Sequence, residues 1–216
     1  MTSPLLANVA VELFIKGGPI MYPIGLATLV AVAVVGERVF WWLRESRRRD
    51  LAGREAVLAE LSEGRVRQAA ARAKDSADPV LRMIHHGLNH HHTSLPGALQ
   101  VAAGAELQQA GRFLNVLDTL VTLAPLLGLL GTVTGIMGSF GAIGGSELAV
   151  EKVTGGIAEA LIATAAGLGI AILCLVPFNY FNGRVARLQF ELETAATNVE
   201  VMAAAQRTAP GGEVRA

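Results

Sequence analysis

Residues 119–146 read TLVTLAPLLGLLGTVTGIMGSFGAIGGS and contain no Asp, Glu, Lys or Arg. A helix needs about 20 mostly apolar residues to cross a bilayer, because the hydrocarbon core is about 30 Å thick and each residue advances about 1.5 Å. Two further charge-free stretches, 17–36 and 160–183, meet the same requirement. The whole chain of 216 residues is 52% hydrophobic and only 17% charged, against about 25% charge in typical soluble domains. The reading is an all-α, polytopic membrane protein with three transmembrane helices, at 19–41, 119–141 and 157–181. Glycine is frequent and aromatics are few, which suits helices packed closely in lipid.

Composition also excludes. Lys+Arg and Asp+Glu balance at 18 each, so the basic surface that nucleic-acid binding requires is missing. Cys174 is the sole cysteine, which rules out an intrachain disulfide and a multi-cysteine metal site. Its neighbours Ile172, Leu173 and Leu175 make it a packing residue. The glycine-rich run 128–138 lacks a P-loop lysine and lies in an apolar span, and no dinucleotide fingerprint or nucleophile elbow occurs. The chain is not expected to be an enzyme, and no cofactor or metal is expected.

Charge asymmetry sets the expected topology. The stretch 42–118 carries 11 of the 18 Lys+Arg, including Arg44, Arg47, Arg48 and Arg49 beside Trp41 and Trp42 at the end of the first span. Met1 to Ile15 has no basic residue, so the start does not read as a secretory signal peptide. The positive-inside rule then gives an outside N-terminus, an inside loop at 42–118, a short outside loop at 142–156 and an inside tail at 182–216.

Before the first span, Asn8, Glu12 and Lys16 repeat every four residues, with Leu5, Leu6, Val9 and Leu13 on the other face. Residues 1–18 thus read as an amphipathic helix on the outer interface, ended by Gly17-Gly18-Pro19. In the inside loop, Asp50 is placed to cap a helix over 51–63, Gly64 interrupts, an Ala-rich helix runs to Lys74, and Pro79 opens a third helix that reaches His92. A break follows at 93–96. From Gly97 no strong breaker occurs until Pro125, which predicts one helix running straight into the second span. The third span has only Pro177 before Gln206, and a helix over 157–206 is about 75 Å long. Both long helices are therefore expected to project well beyond the membrane. The last ten residues, with Pro210-Gly211-Gly212, read as a disordered tail.

Two small faces stand out. Gly128, Gly131, Thr132, Gly135 and Gly138 share one face of the second span; Gly156, Ala160, Ala163, Thr164, Gly167 and Ala171 share one face of the third. Such faces either pack tightly within one subunit or line a cavity. Glu159 sits just inside the third apolar stretch, where an ionisable group is a functional candidate by default, although a carboxylate at the lipid edge has the same sequence signature. Asp118 reads as interfacial, and Glu37 and Arg38 as reaching the headgroups. The five histidines cluster at His85, His86, His90, His91 and His92. His86 and His90 stand i,i+4, but nothing nearby completes a ligand set, and a solvated helix is the plainer reading.

The run 124–140, APLLGLLGTVTGIMGSF, and the run 156–168, GIAEALIATAAGL, resemble the two signatures of the MotA/TolQ/ExbB proton-channel family. The start LFIKGGPIMYP at 13–23 and GERVF at 36–40 resemble its ExbB-type opening, so the resemblance covers 13–183. A four-span flagellar subunit fits poorly with three spans. The resemblance implies a subunit of the bacterial inner membrane that forms a pentamer around a pore. It implies two copies of a single-span ExbD- or TolR-like partner, whose intramembrane Asp carries the proton, and a TonB- or TolA-like protein that passes the energy on. Protons are then the coupling ion. The family's polar pore positions fall on Thr132, Glu159 and Thr164; Thr134 belongs to the motif, with its direction open. An ExbB-like role in TonB-dependent transport is expected. The alternatives are a TolQ-like subunit for envelope maintenance or gliding, and a passive membrane scaffold.

Overall fold

The computed structural model describes residues 11–90, 94–141 and 148–208. The expectations for residues 1–10, for His91 and His92, for residues 142–147 and for the tail 209–216 lie outside them. The described residues are helical at 11–16 and then form α1 (Met21–Ser46), α2 (Leu51–Ser62), α3 (Val66–Lys74), α4 (Pro79–Asn89), α5 (Leu95–Ala110), α6 (Leu114–Gly141) and α7 (Leu148–Thr208). Among these, α1, α6 and α7 are long and apolar enough to cross a membrane. The chain divides into two compact units, one of Met1–Arg38 with Phe113–Tyr180 and one of Val39–Arg112 with Phe181–Ala216.

In the first unit, Met21, Ile24, Ala27 and Ala31 of α1 pack with Leu120 and Ala124 of α6 and with Ala163, Ile170, Ala171 and Cys174 of α7. The opposite faces stay outward and apolar, for instance Leu26, Leu29 and Val32 on α1 and Leu126, Leu129 and Val133 on α6. At most 28% of any of the three apolar windows is buried, so most of each helix needs an apolar surrounding. Gly17 ends the first short helix, its N–H donating to the Leu13 carbonyl at 2.9 Å. Gly18 then takes φ +70°, a left-handed conformation that a Cβ disfavours.

The second unit is held by hydrogen-bonded charges around a small apolar core that includes Val57, Leu61, Leu81, Ile84, Leu99, Leu188 and Leu192. Asp78 is its hub. Its carboxylate caps α4 by accepting from the N–H groups of Val80 (2.9 Å) and Leu81 (3.3 Å). It also accepts from the Asp50 N–H at 2.9 Å and from the Arg54 Nε at 2.9 Å. Arg54 continues to Glu191 at 3.0 Å, and Arg49 donates to the same carboxylate at 2.6 Å. A second cluster centres on Arg82, which donates to Glu106 and Glu45. Hydrogen bonding to Glu106 holds its guanidinium above the ordinary arginine range, against the opposing effect of burial.

Several expectations are met in detail. Asp50 caps α2 through Gly53 N–H at 2.8 Å, Gly64 turns the chain at φ +81°, and Pro79 opens α4. Glu12 and Lys16 pair at 2.7 Å.

Others are corrected. The helix expected to run from Gly97 into the second span breaks at 111–113, where Phe113 adopts φ +64°. A non-glycine residue there is strained by about 1–3 kcal/mol. The Arg38 guanidinium lies over the Phe113 ring, 5.8 Å from its centroid, a contact that helps offset that strain. Arg38 is itself buried and donates to Glu37 at 2.5 and 2.7 Å, so it does not reach for headgroups. Trp42, beside the basic run at the end of the first span, is buried in the second unit beneath Arg184, 4.9 Å from the ring centroid, and α1 continues past it to Ser46. The helix predicted to reach His92 ends at Asn89. α7 begins at Leu148, inside the stretch expected to be a loop, and its 61 residues make it about 92 Å long.

Because Asp78 is fully buried and serves a cap and an arginine at once, Asp78→Ala is expected to destabilise the second unit by about 3–5 kcal/mol, as in other broken buried pairs. Asp78→Asn, which keeps a capping oxygen, should fall between. Thermal unfolding of the purified protein in detergent reads both; an unchanged midpoint in Asp78→Ala would show that the hub carries no stability.

Candidate functional site

The site is built on the contact between α6 and α7, where the small residues of both helices meet. A Cβ added to Gly128 would come within 3.0 Å of the Thr164 Cα, one at Gly131 within 2.5 Å of the Ala163 Cβ, and one at Gly135 within 3.0 Å of the Ala160 Cβ and the Gly156 carbonyl. From the other side, a Cβ on Gly167 would run into the Ala124 carbonyl and lie 3.1 Å from the Gly128 backbone. Gly128, Gly131, Gly135, Ala160, Ala163 and Gly167 are therefore the close-packing face within the subunit. Gly138 differs, since a Cβ there meets nothing within 4 Å.

Where this seam opens, Glu159 projects from α7 into a crevice of about 630 Å³ lined by Pro19, Ile20, Thr134, Gly135, Gly138, Ser139 and Gly156. The volume suffices for several waters beside polar groups. The Ser139 hydroxyl is buried and donates to the Gly135 carbonyl at 2.8 Å. The Thr134 hydroxyl donates to the Leu130 carbonyl at 3.0 Å. Both spend their proton on their own helix and keep lone pairs that can accept from water. Glu159 is half-buried, and among the described residues it has no ion-pair partner. The carboxylates of the second unit contrast with it: Glu45, Glu60, Asp78, Glu106 and Glu191 each face an arginine.

The three residues singled out by sequence do not share one cavity within the subunit. Thr164 lies on the seam and its hydroxyl donates across it to the Gly128 carbonyl at 3.0 Å. Thr132 is half-buried outside the crevice and donates to the Leu129 carbonyl at 2.7 Å. Thr134, whose direction the sequence left open, faces the crevice. Ser139 and Gly18 were missed. Ser139 does continue the glycine face, four residues beyond Gly135, and that spacing was available as a signal. Gly18 is more than 100 residues from its partner in the chain and carries no side chain to notice. Asp118 is exposed near the start of α6.

Away from the crevice, the His86 and His90 rings stack with centroids 5.6 Å apart, and His85 Nδ1 lies 3.0 Å from the Ala70 carbonyl. Among the described residues, no three His, Cys, Asp or Glu side chains gather as a metal site.

The model of the MotA/TolQ/ExbB proton channel family matches residues 75–194, more than half of the chain. The chain belongs to this family. A Synechocystis sp. protein named as an ExbB-like 1 biopolymer transport protein is 35% identical over 173 residues, covering 76% of this chain and 67% of that protein. Family membership and three apolar spanning helices make this a multi-pass membrane protein of the proton-channel and stator type, a class of transport and motor subunits. The matched segment contains Thr132, Thr134, Ser139, Glu159 and Thr164, whereas the Gly17-Gly18-Pro19 turn lies outside it.

The seam separates two kinds of glycine. Gly167→Leu is expected to force α6 and α7 apart and cost at least the about 1–3 kcal/mol of ordinary overpacking. Gly138→Ala has open space and should leave stability unchanged. Melting temperatures and oligomer yield in detergent distinguish them; equal effects at the two positions would contradict the seam.

Proposed function

We propose that this chain is the proton-channel subunit of an ExbB–ExbD–TonB-like motor in the bacterial inner membrane, turning proton motive force into mechanical work for TonB-dependent transport across the outer membrane. The observation that carries this reading is Glu159: a half-buried carboxylate in a membrane-spanning helix, set in a crevice shared with Thr134 and Ser139 and without an arginine or lysine partner among the described residues. An ionisable group in that position is costly to keep, and chains retain such groups where protons or ions move.

In this reading the copies of the chain form a homo-oligomeric ring, expected to be a pentamer. Its pore takes the single span of an ExbD- or TolR-like partner, and a TonB- or TolA-like protein receives the motion. The N-terminus is periplasmic and the C-terminus cytoplasmic. The chain's own spans supply Glu159 and a few hydroxyls, which is less than a complete relay. A carboxylate on the partner completes it. Passage of one proton releases about 2.3 kcal/mol per 100 mV. Protonation neutralises the partner carboxylate and recharging restores its preference for polar surroundings, so each transfer alters where that helix rests. Thr132 and Thr164 solvate the exchange with their oxygens and do not act as acids or bases.

The test is potential-driven proton flux in vesicles holding the chain with its single-span partner. Glu159→Gln is expected to lower flux about tenfold or more, as adding about 1.4 kcal/mol to the limiting barrier does, with the oligomer unchanged by native mass spectrometry. Thr132→Val and Thr164→Val should lower flux without loss of assembly. Undiminished flux in an intact Glu159→Gln oligomer would take Glu159 out of the path, and loss of the oligomer would make it structural.

A further inference from the structure

We propose that Gly18 is a positioning residue for Glu159, and that the bare backbone of the 17–19 turn seats the carboxylate at its crevice. The inference rests on the proton-path reading of Glu159. It starts from how the turn meets α7. A Cβ on Gly18 would fall on the Glu159 side chain, overlapping Oε1 and Cδ and lying 3.0 Å from Cγ. A Cβ on the neighbouring Gly17, which is buried, would lie 3.1 Å from Ile162 Cγ2 and 2.7 Å from the Met21 sulfur. Glu159 and Ile162 are three residues apart and so adjoin on one helix face. The two glycines thus lay main chain, not side chains, against adjoining positions on one face of α7.

Pro19 and Ile20, the next residues of the same turn, wall the crevice into which Glu159 opens. On the α6 side Gly135 and Gly138 offer no side chain, and the Thr134 and Ser139 hydroxyls donate to their own helix, so the turn is the surface packed directly against the carboxylate. The positive φ of Gly18 provides the sharp reversal that brings this backbone into place. A methyl group at position 18 has two effects, strain in the turn and displacement of the carboxylate. Only the second is relieved by shortening residue 159.

The experiment uses the full chain with its single-span partner in vesicles. Its readout is the rate of Glu159 modification by dicyclohexylcarbodiimide, an apolar reagent for protonated carboxyl groups, followed against pH with Glu159→Gln as the blank. Gly18→Ala is expected to change that rate about tenfold or more, the scale on which small misplacements act, and to displace the rate–pH profile, while native mass spectrometry shows the parent oligomer. Adding Glu159→Asp to Gly18→Ala should return the profile to that of Glu159→Asp alone. A Gly18→Ala profile superimposable on the parent overturns the proposal. If Gly18→Ala does not assemble, recovered assembly in the double variant supports it and continued failure overturns it. Normal proton flux in Glu159→Gln would defeat the proton-path reading by itself, without altering the labelling result.

Discussion

Helices surrounded by hydrocarbon gain little from burying leucine against leucine, because lipid is as apolar as the partner. What remains is close approach of the backbones, and the contact of α6 with α7 is built for it. Gly128, Gly131 and Gly135 face Ala160, Ala163, Thr164 and Gly167 at distances where an added methyl group would collide. The Thr164 hydroxyl then reaches the Gly128 carbonyl across the gap. The crevice at Glu159 exists because this seam ends in residues with nothing to fill the space, and Gly138 shows where contact gives way to opening.

Glu159 and the buried carboxylates of the second unit stand in opposite settings. In the second, Asp78 and its neighbours are matched to arginines and backbone N–H groups, the usual condition for keeping charge out of water. In the first, Glu159 opens on the hydroxyls of Thr134 and Ser139, glycine backbone, and Pro19 and Ile20. The same residue type is matched to arginine in one setting and left without a charged partner among the described residues in the other.

Much of this was legible in the sequence. Charge-free runs located the three apolar helices, glycine and alanine spacing marked the seam, and Asp50, Gly64 and Pro79 announced their own turns and caps. The break at 111–113 was hidden because a lone glycine inside a helical pattern is tolerated, and nothing local foretells Phe113 at φ +64°; Arg38, far away in sequence, lies over its ring. Arg38 was misread for the same reason, and the burial of Trp42 was equally hidden, since both depend on residues contributed by other helices. Glu159 stood out as a candidate from its place beside an apolar run. Its setting did not, because Ser139 and Gly18 matter through where they lie and not through what their type announces.

The glycine seam has a calorimetric consequence. The heat-capacity change of unfolding comes from apolar surface newly exposed to water. Separating α6 from α7 within a bilayer or micelle uncovers small residues to hydrocarbon instead, so that step should absorb heat with almost no change in heat capacity. The charged unit, with Val57, Leu81 and Leu192 at its centre, exposes its core to water when it opens. Nearly all the curvature of the protein's stability with temperature therefore belongs to the unit that holds the arginine pairs, and the part that carries Glu159 loosens on heating without that signature.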